Sequence, residues 1–457
     1  MSDPDSSSVT IPLEPPHKRR LPLYIQVVGG VLIGVLLGSL FGTKPYLGVI
    51  RNENLGQIGL LIVRMLKTLA TPLIFFAILD SFIETRITLR RGVRLVLVCL
   101  LNVSVAMSIG LTIMNTLHPG EAWQGHVEEM LGKVKETGAK GPKLATPTDT
   151  KPTLDPLKNF AAYIPENIID PFQKNSVISI VFLALFMGAA LRHVKDRQAR
   201  TGETSIQAVE RFIQAFYQIL IQMLTMVVHL VPFAVMFVVA DVVGRSGLAV
   251  FRLLSGFLVV ILLGLLLHAL IYYPLIAWLM GKKTPKVYLG KGLDAILTGL
   301  SMNSSLATVP ITLRCLRNMG VSTQSARLSA CVGTNLNNDG IMLYEAMTAI
   351  FLSQALGYHL GMSQQMTIVF ASIMAGAGIA GIPEAGLIVL PLVLSAAGLP
   401  EGMILPVLAL IFPVDWIIAR CRSGVNVMGD MVVAIQLDRT MNEAERQALL
   451  DEAGEVS

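Results

Sequence analysis

AGAGIAGIPEAG, residues 375–386, lies in the middle of an apolar stretch that runs over 367–397. Its proline stands at the centre, with glycines on both sides. Proline has no amide proton and clashes with the carbonyl one turn back, and each interior glycine costs about 1 kcal/mol relative to alanine. A straight helix therefore does not pass through this stretch. Its flanks are nevertheless apolar. Non-helical backbone at membrane depth is tolerated only where it is buried in protein or lines a water-filled cavity. The stretch reads as a re-entrant hairpin.

The same signature occurs earlier. Residues 294–314 are apolar on average, but their middle reads SMNSSLATVP, residues 301–310, with a run of hydroxyls and a proline. A hairpin with its tip near Ser304-Ser305 is expected; the alternative is an aqueous loop between two ordinary spans. Each hairpin candidate precedes a polar, interrupted apolar segment, 321–351 after the first and 404–437 after the second. Paired broken segments in corresponding halves of a membrane chain are the sequence sign of an inverted repeat with a binding site at its interface.

The two following segments carry the polar groups. In 404–437, Arg422, Asn426 and Asp430 are spaced by four and Asp415 lies seven before Arg422, so all share one helix face. A charged side chain at bilayer depth costs at least ~2.5–3.5 kcal/mol, which argues for a buried polar site holding charged solutes. The competing reading is an ion pair from Arg422 to Asp430 or Asp415 that locks two helices. In 321–351 the run Asn335-Leu336-Asn337-Asn338-Asp339-Gly340 lets the helix unwind around Gly340. Unwound carbonyls with Asn and Asp oxygens are hard ligands suited to a small cation. Here the alternative is an Asn-rich loop between spans. Glu345, one turn on, reads as an exposed or paired acid.

Composition fixes the class. Of 457 residues, 53% are hydrophobic and 15% charged, against about 25% charged in soluble domains. Further apolar spans are expected at 21–41, 55–82, 93–117, 172–191, 212–243 and 251–280. The first is too long for the apolar core of a cleaved signal peptide and lacks a small-residue cleavage site. Its glycines 29, 30, 34 and 38 suit close helix packing. Residues 1–20 and 439–457 read as cytosolic tails, and 120–156, rich in Lys, Pro, Thr and Gly, as a mobile aqueous loop. Basic clusters before the first span and after the second, fourth and sixth place both termini in the cytoplasm of a multi-pass plasma-membrane protein, or the inner membrane in a bacterium. The formal net charge of +5 reports that topology and not nucleic-acid binding. Four cysteines without a CxxC pair argue against a disulfide framework and a zinc site. No HExxH motif, nucleophile elbow or Gly-rich phosphate loop is present, and no histidine lies within the polar clusters, so an enzyme is not expected.

Four motifs in order carry a resemblance: Ser304-Ser305-Leu306-Ala307-Thr308-Val309-Pro310, Asn337-Asn338-Asp339-Gly340, Gly381-Ile382-Pro383-Glu384-Ala385-Gly386, and Arg422 followed by Asn426, Gly429 and Asp430. Together, over about 21–438, they resemble the glutamate transporter family of dicarboxylate/amino acid:cation symporters. The resemblance implies an all-α membrane protein with eight transmembrane helices, two re-entrant hairpins and inverted repeats, assembled as a homotrimer in lipid. It implies a symporter domain over 21–440. Spans one, two, four and five would form a scaffold, and 93–117 with 251–438 a transport domain that moves as an elevator. Ser304, Ser305, Ile382, Gly386, Arg422, Ser423 and Asn426 would hold an anionic substrate, with Arg422 on a distal carboxylate and the second hairpin as gate. Gly333, Asn337, Asn426 and Asp430 would hold Na+, and Asp339 a deeper Na+; H+ is the alternative coupling ion, and no organic cofactor is implied.

Departures from the family pattern touch the substrate. The first hairpin has Leu306 where a third serine is usual, and the central motif lacks the usual methionine and threonine, with Asn338 and Ile341 instead. Amino-acid carriers of the family place an aspartate one turn before the arginine, on the substrate amine; here that residue is Ala419. A buried ammonium without a partner costs several kcal/mol. The expectation is therefore a four-carbon dicarboxylate such as succinate, fumarate or malate, with an acidic or neutral amino acid as alternative. Cys99, Asn102 and Val103 replace the deep cation ligands of span three. Glu384 reads either as a titrating gate or as an exposed acid at the outer mouth. A non-coupled anion channel or a transporter-derived sensor is the reading from another class.

Overall fold

The computed structural model describes residues 23–46, 49–84, 89–125, 164–165, 167–173, 177–377, 379, 381 and 384–440. The expected tails, apart from 439–440, and the expected loop beyond residue 125 lie outside the described residues. So does Ile382. The loop starts differently from expectation: Pro119–Trp123 forms a 3-10 turn, and Trp123 is buried edge-on against Phe351 and Phe257. An aromatic of that size between two other rings is core packing.

The described residues are helical. Five helices are long and apolar enough to cross a membrane: Asn52–Asp80, Arg91–Leu117, Ile206–Val228, Phe251–Leu279 and Gly402–Thr440. The chain is a multi-pass membrane protein. Its first half contributes α1 (Leu23–Phe41), α2 (Asn52–Glu84), α3 (Leu89–Leu117), α4 (Val177–Thr201), α5 (Ile206–Val228) and α6 (Val231–Ser246). The expected single span 212–243 is two helices, divided by a turn at His229-Leu230. Pro232 explains the division: it has no proton to donate and suits the first turn of a new helix.

Helices α1, α2, α4, α5 and α6 form one packed group around α2 and α6. Gly30, Gly34 and Gly38 line the α1 face on α6, where a Cβ would strike the Pro232 carbonyl, the Met236 carbonyl and Val243. Small residues four apart let two backbones approach closely. Gly29 faces open space instead.

The second half begins with α7 (Val250–Leu266), which passes through a π-helical segment (Leu267–Tyr272) into α8 (Tyr273–Leu279). The first hairpin is α9 (Pro285–Met302) and α10 (Ser305–Asn318). It breaks at Asn303-Ser304, at the expected tip. The cause is Asn303 in left-handed backbone followed by the capping Ser304. Pro310 and Thr308, expected to break the helix, lie inside α10. Pro310 is the sixth residue of α10, so it removes one ladder bond, and the helix continues through it.

Then come α11 (Thr323–Arg327), a π segment (Leu328–Val332), a 3-10 turn (Gly333–Asn335) and α12 (Asp339–Ala355). The interruption sits at Leu336-Asn337-Asn338, and Gly340 is already in the first turn of α12 rather than at the unwound point. A Cβ there would strike the Arg422 carbonyl and Asn426 Oδ1, so glycine serves close approach, not unwinding. The second hairpin is α13 (Met362–Ala377) and α14 (Ala385–Ala396), and the last helix is α15 (Glu401–Thr440).

Every residue of α12 is buried. A helix buried on all sides belongs at the centre of its packing group. Around it lie α3, α7, α13, α14 and α15. The polar face of α15 and both hairpin tips converge on its N-terminal end.

Candidate functional site

The hairpin tips close on each other. Ser304, in extended backbone, caps α10 by accepting from Ala307 N at 3.2 Å, and its hydroxyl donates to the Gly381 carbonyl at 2.6 Å. Leu306 N donates to the same carbonyl at 3.2 Å. Ser305 Oγ lies 3.4 Å from Thr334 Oγ1, and a Cβ on Gly381 would strike it. Glu384, expected to be either a titrating gate or an exposed acid at the mouth, is 4% exposed. It accepts from Asn303 Nδ2 at 3.0 Å, while Asn303 Oδ1 accepts from Ser423 Oγ at 3.0 Å. This chain Glu384–Asn303–Ser423 joins both tips to α15. The N-termini of α10 and α14 lie at these tips, and the positive end of each helix dipole favours negative charge.

Arg422 lies below the tips, 2% exposed. Its Nη2 donates to Asp415 Oδ2 at 3.3 Å, and the guanidinium lies 4.0 Å over the Tyr344 ring. The pair is therefore made within α15, to Asp415; it does not lock two helices. Nη1 has no partner, nor has Asp415 Oδ1. Gly386 packs against this guanidinium so closely that a Cβ would collide with Nη1. Glu345, expected to be exposed or paired, is fully buried with neither oxygen hydrogen-bonded, and interacts with Arg422 through space. Arg420 turns the other way and donates to the carbonyls of Leu300 and Ser301 on α9. A guanidinium half-engaged, with one edge turned toward two helix N-termini, is suited to receive a carboxylate.

Asn426 is locked by the chain itself. Its Oδ1 accepts from Gly340 N at 2.9 Å and its Nδ2 donates to Asn338 Oδ1 at 3.1 Å. Asn338 in turn donates to the carbonyls of Gly376 and Ile379, so one amide relay ties the interrupted segment to α15 and to the second hairpin.

The oxygen donors for a cation fall into two groups. Asn337 and Thr334 face the Asp430 carboxylate, yet both ends of the Asn337 amide and Asp430 Oδ1 lack a hydrogen bond of good geometry. Buried polar atoms are ordinarily partnered. Unpartnered oxygens of an acid and an amide fit a small hard cation. The Gly333 carbonyl is already used, accepting from Leu336 N and Asn337 N at 2.8 Å each.

Asp339 is held differently. Its Oδ2 accepts from Tyr273 OH at 2.8 Å and meets His268 Nε2 at 3.2 Å, leaving Oδ1 open. Here a histidine does lie within a polar cluster, against expectation. The π segment brings it there: the widened turn sets His268 inward, stacked on Tyr272. A histidine inside the run 253–280, which carries no acid, lysine or arginine, was the available signal. Asn102 faces neither cation group. It exchanges hydrogen bonds with Gln436, at 2.9 and 3.4 Å, and accepts from Tyr272 OH at 2.8 Å. Among the described residues no three His, Cys, Asp or Glu side chains gather as a transition-metal site would require.

The family model of the sodium:dicarboxylate symporter family matches residues 23–440. An excitatory amino acid transporter of Caenorhabditis elegans is 30% identical over 91% of this chain and 87% of its own. Human excitatory amino acid transporter 5 is 29% identical, covering 91% and 81%. Human excitatory amino acid transporter 1 is 42% identical over a shorter part, 40% of this chain and 33% of its own. Na+ is thus the coupling ion, and the chain is a member of the sodium:dicarboxylate symporter family.

Proposed function

We infer that this protein couples an inward Na+ gradient to uptake of an acidic amino acid such as aspartate or glutamate. The observation that carries this reading is the half-engaged guanidinium of Arg422, buried under two hairpin N-termini with Asp415, Glu345 and Glu384 around it. Three carboxylates outnumber the arginines Arg422 and Arg420 near them, which favours a ligand that brings an ammonium as well as carboxylates over a bare dianion. The names of the relatives point the same way. A four-carbon dicarboxylate, expected from Ala419, is the second reading, and Ala419 remains its support: the residue is buried and offers no charge.

In this reading Arg422, Ser304, Ser305, Gly386 and Ser423 surround the substrate, with Ile382 contributed by the tip of the second hairpin. Asp430 and Asn337 offer open oxygens to one Na+, which Asn426 and Gly333 join by releasing their present hydrogen bonds, and Asp339 forms a second site. Loading with Na+ neutralises buried carboxylates, which lowers the cost of carrying them across the bilayer. The helices around α12 move as the transport unit against a trimeric scaffold built on α2 and α6, through eight spans with both termini in the cytoplasm.

Labelled aspartate and labelled succinate, offered to proteoliposomes under an imposed Na+ gradient, test the reading. Aspartate uptake that needs Na+ supports it. Succinate uptake alone reinstates the dicarboxylate. Acceleration of labelled uptake by preloaded substrate identifies a carrier; its absence points to a channel or a sensor.

A further inference from the structure

Among the described carboxylates around Arg422, Glu384 is the one carried by a hairpin tip. Asp415 gives Oδ2 to Arg422 from the same helix and keeps Oδ1 open. Glu345, on α12, has neither oxygen hydrogen-bonded and interacts with Arg422 through space. Glu384 instead opens α14 at the tip of the second hairpin, in left-handed backbone that glutamate rarely adopts. It is nine-tenths buried or more, and among the described residues its hydrogen-bond partner is Asn303, through Oε1. Asp415, Arg422 and Arg420 are within electrostatic reach. This carboxylate is held at the tip through Oε1 on Asn303 and stands within electrostatic reach of Arg422.

We propose that Glu384 is the specificity-determining carboxylate that receives the ammonium of an amino-acid substrate. This rests on the amino-acid reading and deepens it. The substrate then bridges charges of opposite sign: a carboxylate on Arg422, the ammonium on Glu384. Charge-assisted hydrogen bonds of this kind are about twice as strong as neutral ones. Ala419 on α15 has no charge to offer, so the anion for the amine comes from the hairpin.

Aspartate and succinate differ by the ammonium, so their ratio reads this contact. Apparent affinity for each is measured by Na+-driven uptake in proteoliposomes of the wild type, Glu384→Gln, and Glu384→Gln combined with Ala419→Asp. Glutamine keeps the shape and an acceptor for Asn303 while removing the charge. Expected is a loss of roughly tenfold or more for aspartate in Glu384→Gln, with succinate changed little or improved. Recovery of aspartate on adding Ala419→Asp is expected as well, since it returns a carboxylate to the same pocket from α15. Equal losses for both substrates, or none, overturn the proposal while leaving the amino-acid reading intact. A wild type that takes succinate and not aspartate overturns both.

Discussion

Asn303 donates its amide to Glu384 across 3.0 Å, and both residues hold left-handed backbone, at φ 52 and φ 60. Each hairpin thus ends in the same uncommon conformation, and the two ends are fastened to each other. Asparagine tolerates this region better than most residues. In Asn303→Gly the turn is kept and the amide is lost. The bond to Glu384 and the one from Ser423 both disappear. Hydrogen bonds to charged groups contribute ~1.5–3 kcal/mol. The second hairpin is then expected to open more readily, the substrate KM to rise roughly tenfold and the melting temperature to fall by a few degrees. The concentration dependence of uptake, with thermal unfolding in detergent as control, checks this.

The sequence favours Arg422→Ala as a variant that stops transport and spares folding. The structure changes the second half of that expectation. Arg422 and Asp415 are both buried and face each other at 3.3 Å. Removing one partner of a buried pair costs ~3–5 kcal/mol because the other charge is stranded. Arg422→Ala is therefore expected to lower the melting temperature as well as abolish uptake. Arg422→Ala with Asp415→Asn is expected to regain most of the stability and none of the uptake. Full stability in the single variant would show that Asp415 has another partner.

What was legible in the sequence follows from range. The tip at Ser304, the stripe Asp415–Arg422–Asn426–Asp430 and the glycine face of α1 are local patterns, each set by residues within a few turns, and each stands where the pattern puts it. The features that sequence reading missed are long-range or depend on a backbone irregularity. Asn102 meets Gln436 across 334 positions. His268 reaches Asp339 because a π segment rotates it inward, and no residue preference marks a π segment. Glu384 looks like a mouth residue by position on a hairpin tip; only the partner on the other hairpin buries it.

Asn102 was aligned with a cation ligand, and its amide is fully engaged with Gln436 and Tyr272. A reciprocal buried amide pair between α3 and α15 is a structural clasp, and leaving Gln436 unpartnered costs ~1–3 kcal/mol. Asn102→Ala is expected to lower the melting temperature by several degrees. The Hill coefficient for Na+ in uptake is expected to stay the same. A reduced Hill coefficient at unchanged stability would instead return Asn102 to the cation path.

Asp430 and Asp339 differ in what already satisfies them, and Na+ titration separates their roles. Asp339 has Tyr273 and His268 on one oxygen. Asp430 has Oδ1 open beside an Asn337 amide that is itself unpartnered, while Ser329 bonds only its backbone carbonyl, at 2.6 Å. A unit charge 4 Å from a cation contributes ~4 kcal/mol even at an effective dielectric of 20. Asp430→Asn keeps size and backbone contacts and removes that charge, so the Na+ concentration for half-maximal uptake is expected to rise by a factor of roughly ten or more. Asp339→Asn also strands His268, and its main effect is expected on thermal stability, with a smaller shift in Na+ dependence. Measuring half-maximal Na+ and melting temperature on both variants decides the assignment. A larger Na+ shift in Asp339→Asn would move the principal cation site to the His268 side of α12.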